Sequence, residues 1–459
     1  MKGLRLTKRL RRTASAVLLL HACTGYAQTV SFHAEGGATT DDETGVVSEN
    51  ALQAHPSLAV VTQYAAQHNP AIRSAQHAWD AARQRITQER AYVNPLVTYD
   101  PDTGNMPETR AGPQANSLGV SQAIPFPGKL TLRGNIADQQ ARAVYERLQA
   151  TVQEISRQVR ARYADYYLAI RSLDINAETT DLTRQFAAIA DAKYRVGRAA
   201  QQDVILAQEQ LSRLATERVV FEGDRETALG ALNALLDRSP RAPIGPPADL
   251  HAEEITTPLR DLVDSAAAAR PELKAQDHSV EASRQSLRLA QMDYLPDFTV
   301  GAQYTEVTGG TNPVFSKDGH DIFMAKLGFS IPIWINRVQA GIHEMRARVL
   351  QEESRRQDLT NRVFDQVQRA YEAVRVAART ERIYRTTLIP QTQERIGAAR
   401  AGYQTGVVDF LTLIDSLKSL EDVQLERDRA VRNYQRGVAD LERAVGERLA
   451  RLTKGSGGK

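Results

Sequence analysis
The 459 residues leave room for two or three domains, and 58 Lys and Arg against 55 Asp and Glu give a net charge of +3. Six of those cations (Lys2, Arg5, Lys8, Arg9, Arg11, Arg12) lie before residue 28 in a segment with no acid, so the remainder is slightly acidic and nucleic-acid binding loses its support. Aromatics at 6% suit long helices better than stacked sheets, and the single cysteine, Cys23, excludes internal disulfides, CxxC redox chemistry and thiolate zinc sites.

Residues 1–27 read as a signal peptide. A cationic stretch ends at Arg12, Ala14 to Leu20 is apolar, and Gly25-Tyr26-Ala27 forms a small-residue cleavage site before Gln28. The rival reading is a lipoprotein signal, Leu20-His21-Ala22 before Cys23, in which acylated Cys23 anchors the mature chain. Both readings export the protein. No later apolar run reaches the ~20 residues of a membrane helix, so a membrane span must be made of strands.

From there the chain is written twice, at an offset of about 200 residues. The first repeat occupies 28–237, a proline-rich linker 238–258, the second repeat 259–453, and a flexible tail 454–459. His68-Asn69-Pro70-Ala71-Ile72 returns as Ala269-Arg270-Pro271-Glu272-Leu273, and Asn94-Pro95-Leu96 as Leu295-Pro296-Asp297. Leu118-Gly119-Val120-Ser121 returns as Leu327-Gly328-Phe329-Ser330, and Tyr194-Arg195-Val196-Gly197 as Tyr403-Gln404-Thr405-Gly406. An ordered series of matches marks a tandem duplication.

Each repeat predicts helix, strand, strand, long helix, turn, helix. Pro70 to Tyr92 opens the first as a helix, with the proline at its start. Strand periodicity is clearest in the second, where Phe298, Val300, Ala302 and Tyr304 alternate with polar or small residues, as do Phe323, Ala325, Leu327, Phe329 and Ile331. Segments of this length suit a tilted membrane strand, and a soluble hairpin is the alternative. Asn135 to Val196 contains neither Gly nor Pro and, as one helix, reaches about 93 Å. Leu148, Val152, Ile155, Val159, Tyr163, Tyr166, Ile170 and Leu173 form a coiled-coil seam along it. Ile342 to Ile389 is the counterpart, interrupted at Pro390, and Gly197 and Gly406 mark matching helical tips. Four strands per chain cannot close a membrane barrel, because about eight are needed and open edges in lipid are costly. If the strands lie in a membrane, several copies share one barrel and the helices extend it as a tube.

These features, with Ser121-Gln122-Ala123-Ile124-Pro125-Phe126-Pro127-Gly128-Lys129, Gln201-Gln202-Asp203-Val204 and Leu232-Asn233-Ala234-Leu235-Leu236, resemble the TolC-like outer-membrane efflux factors. The Pro-Gly-Lys and Gln-Gln-Asp-Val segments are most similar to the heavy-metal (CzcC-like) branch. The resemblance implies a mostly α fold with a small β part: a long antiparallel α-helical tunnel in the periplasm plus four membrane strands per chain in a trimeric 12-stranded barrel. It implies a passive exit duct set in outer-membrane lipid, working with a periplasmic adaptor (membrane fusion protein) and an inner-membrane RND transporter. Carried over residue by residue, Arg195, Val196, Gly197, Gln404, Thr405 and Gly406 are the adaptor-contacting tips. Tyr403 bonding Asp203 is the periplasmic aperture latch, and Asp415 forms an aperture ring. Where the family places an arginine in this latch the chain has Val408, and Thr412 replaces a second ring aspartate. On the residues alone, Tyr403 can equally be packing and Asp203 a helix N-cap.

No phosphate-binding loop, HExxH or nucleophile elbow occurs, and the nine histidines are scattered, so neither an enzyme nor a bound cofactor or metal is expected. His33 with Asp41, Asp42 and Glu43 reads as an acidic leader. Drug export, type I protein secretion and a periplasmic coiled-coil scaffold without a pore stay open as other readings.

Overall fold
A computed structural model describes residues 47–101, 108–109, 112–307 and 320–449. The signal segment, Cys23, His33 and its neighbouring acids, and the tail 454–459 lie outside them. The first repeat runs α1 (Leu58–His68), α2 (Pro70–Arg90), β1 (Leu96–Asp100), β2 (Glu108–Thr109), β3 (Gly112–Ile124), α3 (Lys129–Arg195) and α4 (Gln201–Leu235). The second runs α5 (Leu259–Ala269), α6 (Pro271–Gln291), β4 (Phe298–Val307), β5 (Ile322–Phe329), α7 (Ile335–Ile383), a π turn (Tyr384–Leu388), α8 (Ile389–Thr405) and α9 (Phe410–Val445). The chain is therefore mostly helical with one small antiparallel sheet. Beyond the elements legible in the sequence stand α1 and α5, short helices that each precede a proline-started helix. Asn69 caps α2 through its side chain and also donates to the Leu235 carbonyl (2.8 Å), tying the helix to the end of α4.

Within each helix the duplication keeps its spacing. Val61, Ala65 and Ile72 of the first apolar core match Leu262, Ala266 and Leu273 of the second. Ile155, Val159 and Tyr166 match Val363, Val367 and Val374, and Leu229, Leu232 and Leu236 match Val438, Leu441 and Val445. Each fully buried Val, Leu or Phe contributes about 1.5–3 kcal/mol, so each repeat owns its own stabilising core. The α3 seam is buried or half-buried from Leu148 to Ile170, then its phase slips. Ser172, Asn176, Thr179 and Thr183 are buried, and Leu173 is only partly so. A straight helix drifts relative to a seven-residue repeat, and here the drift carries Asn176 to the Leu214 carbonyl of α4 (3.1 Å).

The corresponding body and tip residues differ in offset by one. Tyr166 corresponds to Val374, but Tyr194 and Gly197 correspond to Tyr403 and Gly406, one residue further on. The π turn between them absorbs that residue, with the Ile389 amide bonded five residues back to the Tyr384 carbonyl. Pro390 follows immediately. It has no N–H and its ring crowds the carbonyl four residues back, which a locally widened helix accommodates.

Along the middle of α3 and α9 the contact between the repeats is charged. Asp165 of α3 takes Arg432 (3.7 Å) and Arg436 (2.5 Å) of α9, Arg160 takes Glu442 (3.2 Å), and Arg157 takes Asp440 (3.0 Å). The linker lies on α3, where the Tyr163 hydroxyl donates to the Pro56 carbonyl (2.8 Å) and accepts from the Ala248 amide (2.9 Å). Burial pushes the Tyr163 phenol up to about 12.

The sheet order is β1-β3-β4-β5, with β2 paired to β3. Both hairpins share one register: Val97 faces Val120 in the first, as Phe298 faces Phe329 in the second. The repeats join through β3 and β4, from Ile124 opposite Phe298 to Ser117 opposite Thr305.

Candidate functional site at the sheet face and the helical tips
Directly opposed residues share a face of a sheet, so the pairings sort the side chains without further assumption. One face collects Val97, Tyr99, Leu118, Val120, Ile124, Phe298, Val300, Tyr304, Phe323, Leu327 and Phe329. Most of these stand exposed in the single chain. The other face carries Thr98, Asp100, Ser117, Thr299, Gln303, Thr305 and Lys326, with Leu96, Ile322 and Met324 among them. Its polar groups bond to one another: Ser117 to Asp100 (3.1 Å), Gln303 to Ser117 (3.2 Å), and Lys326 to Gln303. An oily outer face with aromatic rings toward both ends, backed by a polar face, is the pattern of a lipid-facing barrel wall. Among the described residues no helix is long and apolar enough to cross a membrane.

At the opposite end of the long helices, the two tips are built alike. Gly197 (φ +73°) and Gly406 (φ +84°) take the left-handed conformation that closes α3 and α8. The Arg198 amide bonds the Lys193 carbonyl (2.8 Å) and the Val407 amide bonds the Gly402 carbonyl (2.9 Å), the same six-residue closure twice. Asp409 starts α9 by accepting from the Thr412 amide (2.8 Å), and the Thr412 hydroxyl first, then that amide, hold its carboxyl below the usual range. Arg195 is exposed and ion-paired to Asp191 on its own helix (2.7 Å). Val196 and Gln404 are exposed, the Thr405 hydroxyl turns back to the Ala401 carbonyl (3.2 Å), and Val407 is 83% exposed at the extremity.

Just above the tips the repeats share a third core, in which Phe186, Ala190 and Ala207 meet Ala399, Tyr403, Phe410 and Leu413. Tyr403 is 4% exposed, and its hydroxyl donates to Asp203 Oδ2 at 3.1 Å across the repeats. Burial first, and then the Asp203 carboxylate, push the Tyr403 phenol well above its ordinary value, so it stays a neutral donor. Packing and hydrogen bonding are thus both true of Tyr403. Asp203 lies inside the first turn of α4, whose N-cap is Ala200, so it does not serve as the cap. Asp415 is exposed on α9, its main-chain carbonyl accepting from Arg395 (3.3 Å), and among the described residues no hydrogen bond joins it to the Tyr403–Asp203 pair.

Two participants, Lys193 and Phe410, are not signalled by the latch motif. Lys193 places its ammonium 4.4 Å from the Tyr403 ring centroid and donates to the Tyr403 carbonyl, supplying a cation where Val408 supplies none. Val408 instead packs on Gly402, where an added Cβ would meet it at 2.5 Å. Phe410 sets its ring 5.2 Å from that of Tyr403. A basic residue in the last turn before a tip glycine is the signal that points to Lys193. Among the described residues no group of three or more His, Cys, Asp or Glu could hold a metal ion.

An amphipathic, open-edged sheet on a body of paired long helices defines the class: a small sheet with one apolar face carried on a helical shaft. The chain belongs to the outer membrane efflux protein family, whose sequence profile matches residues 61–238 and 262–447. Among solved structures it is similar to a membrane protein from Pseudomonas aeruginosa, at 20% identity and a TM-score of 0.70, covering 91% of this chain and 99% of that one. It is also similar to CusC, at 19% identity and 0.70, covering 85% and 92%. The open-state MtrE outer membrane channel of Neisseria gonorrhoeae follows at 16% identity and 0.69, covering 89% and 94%. At these identities the likeness shows the fold. No curated protein sequence matches the chain.

Proposed function
We propose that this protein is the passive outer-membrane exit channel of a tripartite efflux system. Three copies share a twelve-stranded barrel, and their helices line a tunnel into the periplasm. The observation that carries the proposal is the sheet β1-β3-β4-β5, which exposes an oily face and, among the described residues, leaves the outer edges of β1 and β5 unpaired. Alone in lipid, its unpaired edge groups cost several kcal/mol each. The 67-residue α3 has a length of about 100 Å and sets the reach of the tunnel. A soluble scaffold gives no reason for so much exposed apolar surface on one face.

In this reading residues 1–27 direct export, and Arg195, Val196, Gly197, Gln404, Thr405 and Gly406 meet a periplasmic adaptor that couples the duct to an inner-membrane RND transporter. The Tyr403–Asp203 bond latches the periplasmic mouth, and a threefold ring of Asp415 lines it and favours cations. Heavy-metal ions are the proposed cargo on the strength of the Pro-Gly-Lys and Gln-Gln-Asp-Val segments. Energy comes from the transporter, and the chain carries no chemistry of its own.

The test is fractionation of cells making the full chain, followed by planar-bilayer recording. A detergent-extracted outer-membrane trimer that conducts ions is the expected result; a water-soluble monomer would end the proposal. Deleting the gene and scoring growth on metal salts, antibiotics and secreted-protein substrates separates the three cargo classes. Mass spectrometry of the mature N-terminus separates cleavage after Ala27 from acylation at Cys23.

A further inference from the structure
Between α3 and α9 the charges do not balance. Asp165 is met by three guanidiniums, those of Arg436 (2.5 Å), Arg162 (3.6 Å) and Arg432 (3.7 Å). The nearby acids on these helices are already taken: Asp440 by Arg157 (3.0 Å), Glu442 by Arg160 (3.2 Å) and Glu426 by Arg429 (2.5 Å). Three cations less one carboxylate leave two positive charges at a half-buried helix contact. Burial first, then the charge of Arg436, lower the Arg432 pKa, with Asp165 opposing.

The same cluster holds three buried polar atoms that, among the described residues, have no hydrogen-bond partner: Arg432 Nε, Arg436 Nε and Asp165 Oδ1. Asp165 meets terminal nitrogens of both arginines, so each keeps the N–H on Nε as a spare donor. Buried groups of this kind are costly unless something pairs with them, most of all when they are charged. Two donors, one acceptor and an excess of two positive charges describe the complement of an oxyanion that carries two negative charges and one proton. We propose that Arg162, Arg432, Arg436 and Asp165 form a binding site for the hydrogenphosphate dianion. The two Nε–H groups donate to its oxygens, its O–H donates to Asp165 Oδ1, and Arg162 adds charge at the exposed rim.

The duplication argues that these charges are an addition to the framework. At the equivalent positions of the other repeat stand Ala370, Ala373, Gly223 and Thr227, where the same long helices form without them. The site also lies on a particular side of α9. Asp415, Asp422, Arg429 and Arg436 recur every seven residues, which keeps them on one stripe of the helix. Val438, Leu441 and Val445 of the second apolar core lie on the opposite side. The stripe thus changes sign along its length, acidic toward the tips and basic toward the middle. If Asp415 faces the duct, Arg436 faces it too; that placement rests on the channel reading, whereas the site itself does not.

The test is isothermal titration calorimetry of the detergent-solubilised full-length protein with inorganic phosphate, at constant ionic strength and about pH 8, where the dianion prevails. One saturable site per chain is expected. Sulfate, which has no proton to give Asp165, should bind at least about tenfold more weakly. Arg432→Gln and Arg436→Gln should each weaken phosphate binding about tenfold or more. Exposed Arg162→Gln, which threatens the fold least, should weaken it by less, and Arg213→Gln, a surface cation paired on its own helix, should leave it unchanged. The absence of saturable binding to the wild type, sulfate bound as tightly as phosphate, or an affinity unmoved by Arg162→Gln and Arg432→Gln overturns the site. In planar bilayers phosphate should lower the conductance of the wild type and not of Arg436→Gln. Binding without that effect overturns the placement in the duct wall, and a protein that binds phosphate but forms no pore overturns the channel reading while the site stands.

Discussion

Glu421 offers a quantitative test of how the helical layer is held. It sits on α9 at 5% exposure, and among the described residues its Oε1 has no hydrogen-bond partner. Burial foremost, then the neighbouring Glu217 and Asp422, raise its pKa to about 7, with Lys418 opposing. The folded protein therefore holds a proton there that the unfolded chain releases near 4.5. Stability from this group is fully present below that lower value and is lost as pH rises through about 7. At pH 8 the ionised, unpartnered carboxylate costs on the order of 3 kcal/mol. Glu421→Gln keeps the shape and removes the charge, so it should stabilise the detergent-solubilised protein at pH 8 by up to that amount and change little near pH 5. Guanidinium unfolding followed by far-ultraviolet circular dichroism at both pH values measures it. A variant equally destabilised at both, or a wild type with no loss of stability between them, would refute the reasoning.

Tyr403→Phe with Asp203→Ala removes a hydrogen bond to a charged acceptor worth about 1.5–3 kcal/mol, so closed-channel leakage in planar bilayers should rise about tenfold or more. Lys193→Met should raise it less, since it leaves that bond in place. Gly437→Ala should cost about 1–3 kcal/mol, because the new Cβ would sit 2.9 Å from Val374 Cγ2, and a lowered melting temperature reads it out. Gly397→Ala, where a new Cβ meets nothing within 4 Å among the described residues, should instead be neutral or slightly stabilising. Asp409→Ala removes the α9 cap at about 1 kcal/mol, visible as faster amide exchange in the first turn of α9 without loss of the assembly.

What was legible in the sequence was what depends on period and punctuation. The repeat, the alternating strands, the uninterrupted α3 and the tip glycines all write themselves into residue spacing. The charged contact between α3 and α9 did not, because Asp165, Arg432 and Arg436 each read as members of a solvated helix face until the helices are laid together. Burial of Glu421 was hidden for the same reason. Pro390 signalled an interruption, but only the backbone shows that the helix continues through it with a π turn. The contact of Tyr403 with Asp203 was anticipated from family resemblance, whereas its support by Lys193 and Phe410 depends on tertiary packing that spacing does not encode.

A helix is a screw, and one added residue rotates everything beyond it by about a hundred degrees. The π turn at Tyr384–Leu388 lets that rotation be absorbed locally, so α8 can point Tyr403 inward while α7 keeps the phase of its own core. The second half of the chain thereby carries one residue more than the first along this rod without losing step with it.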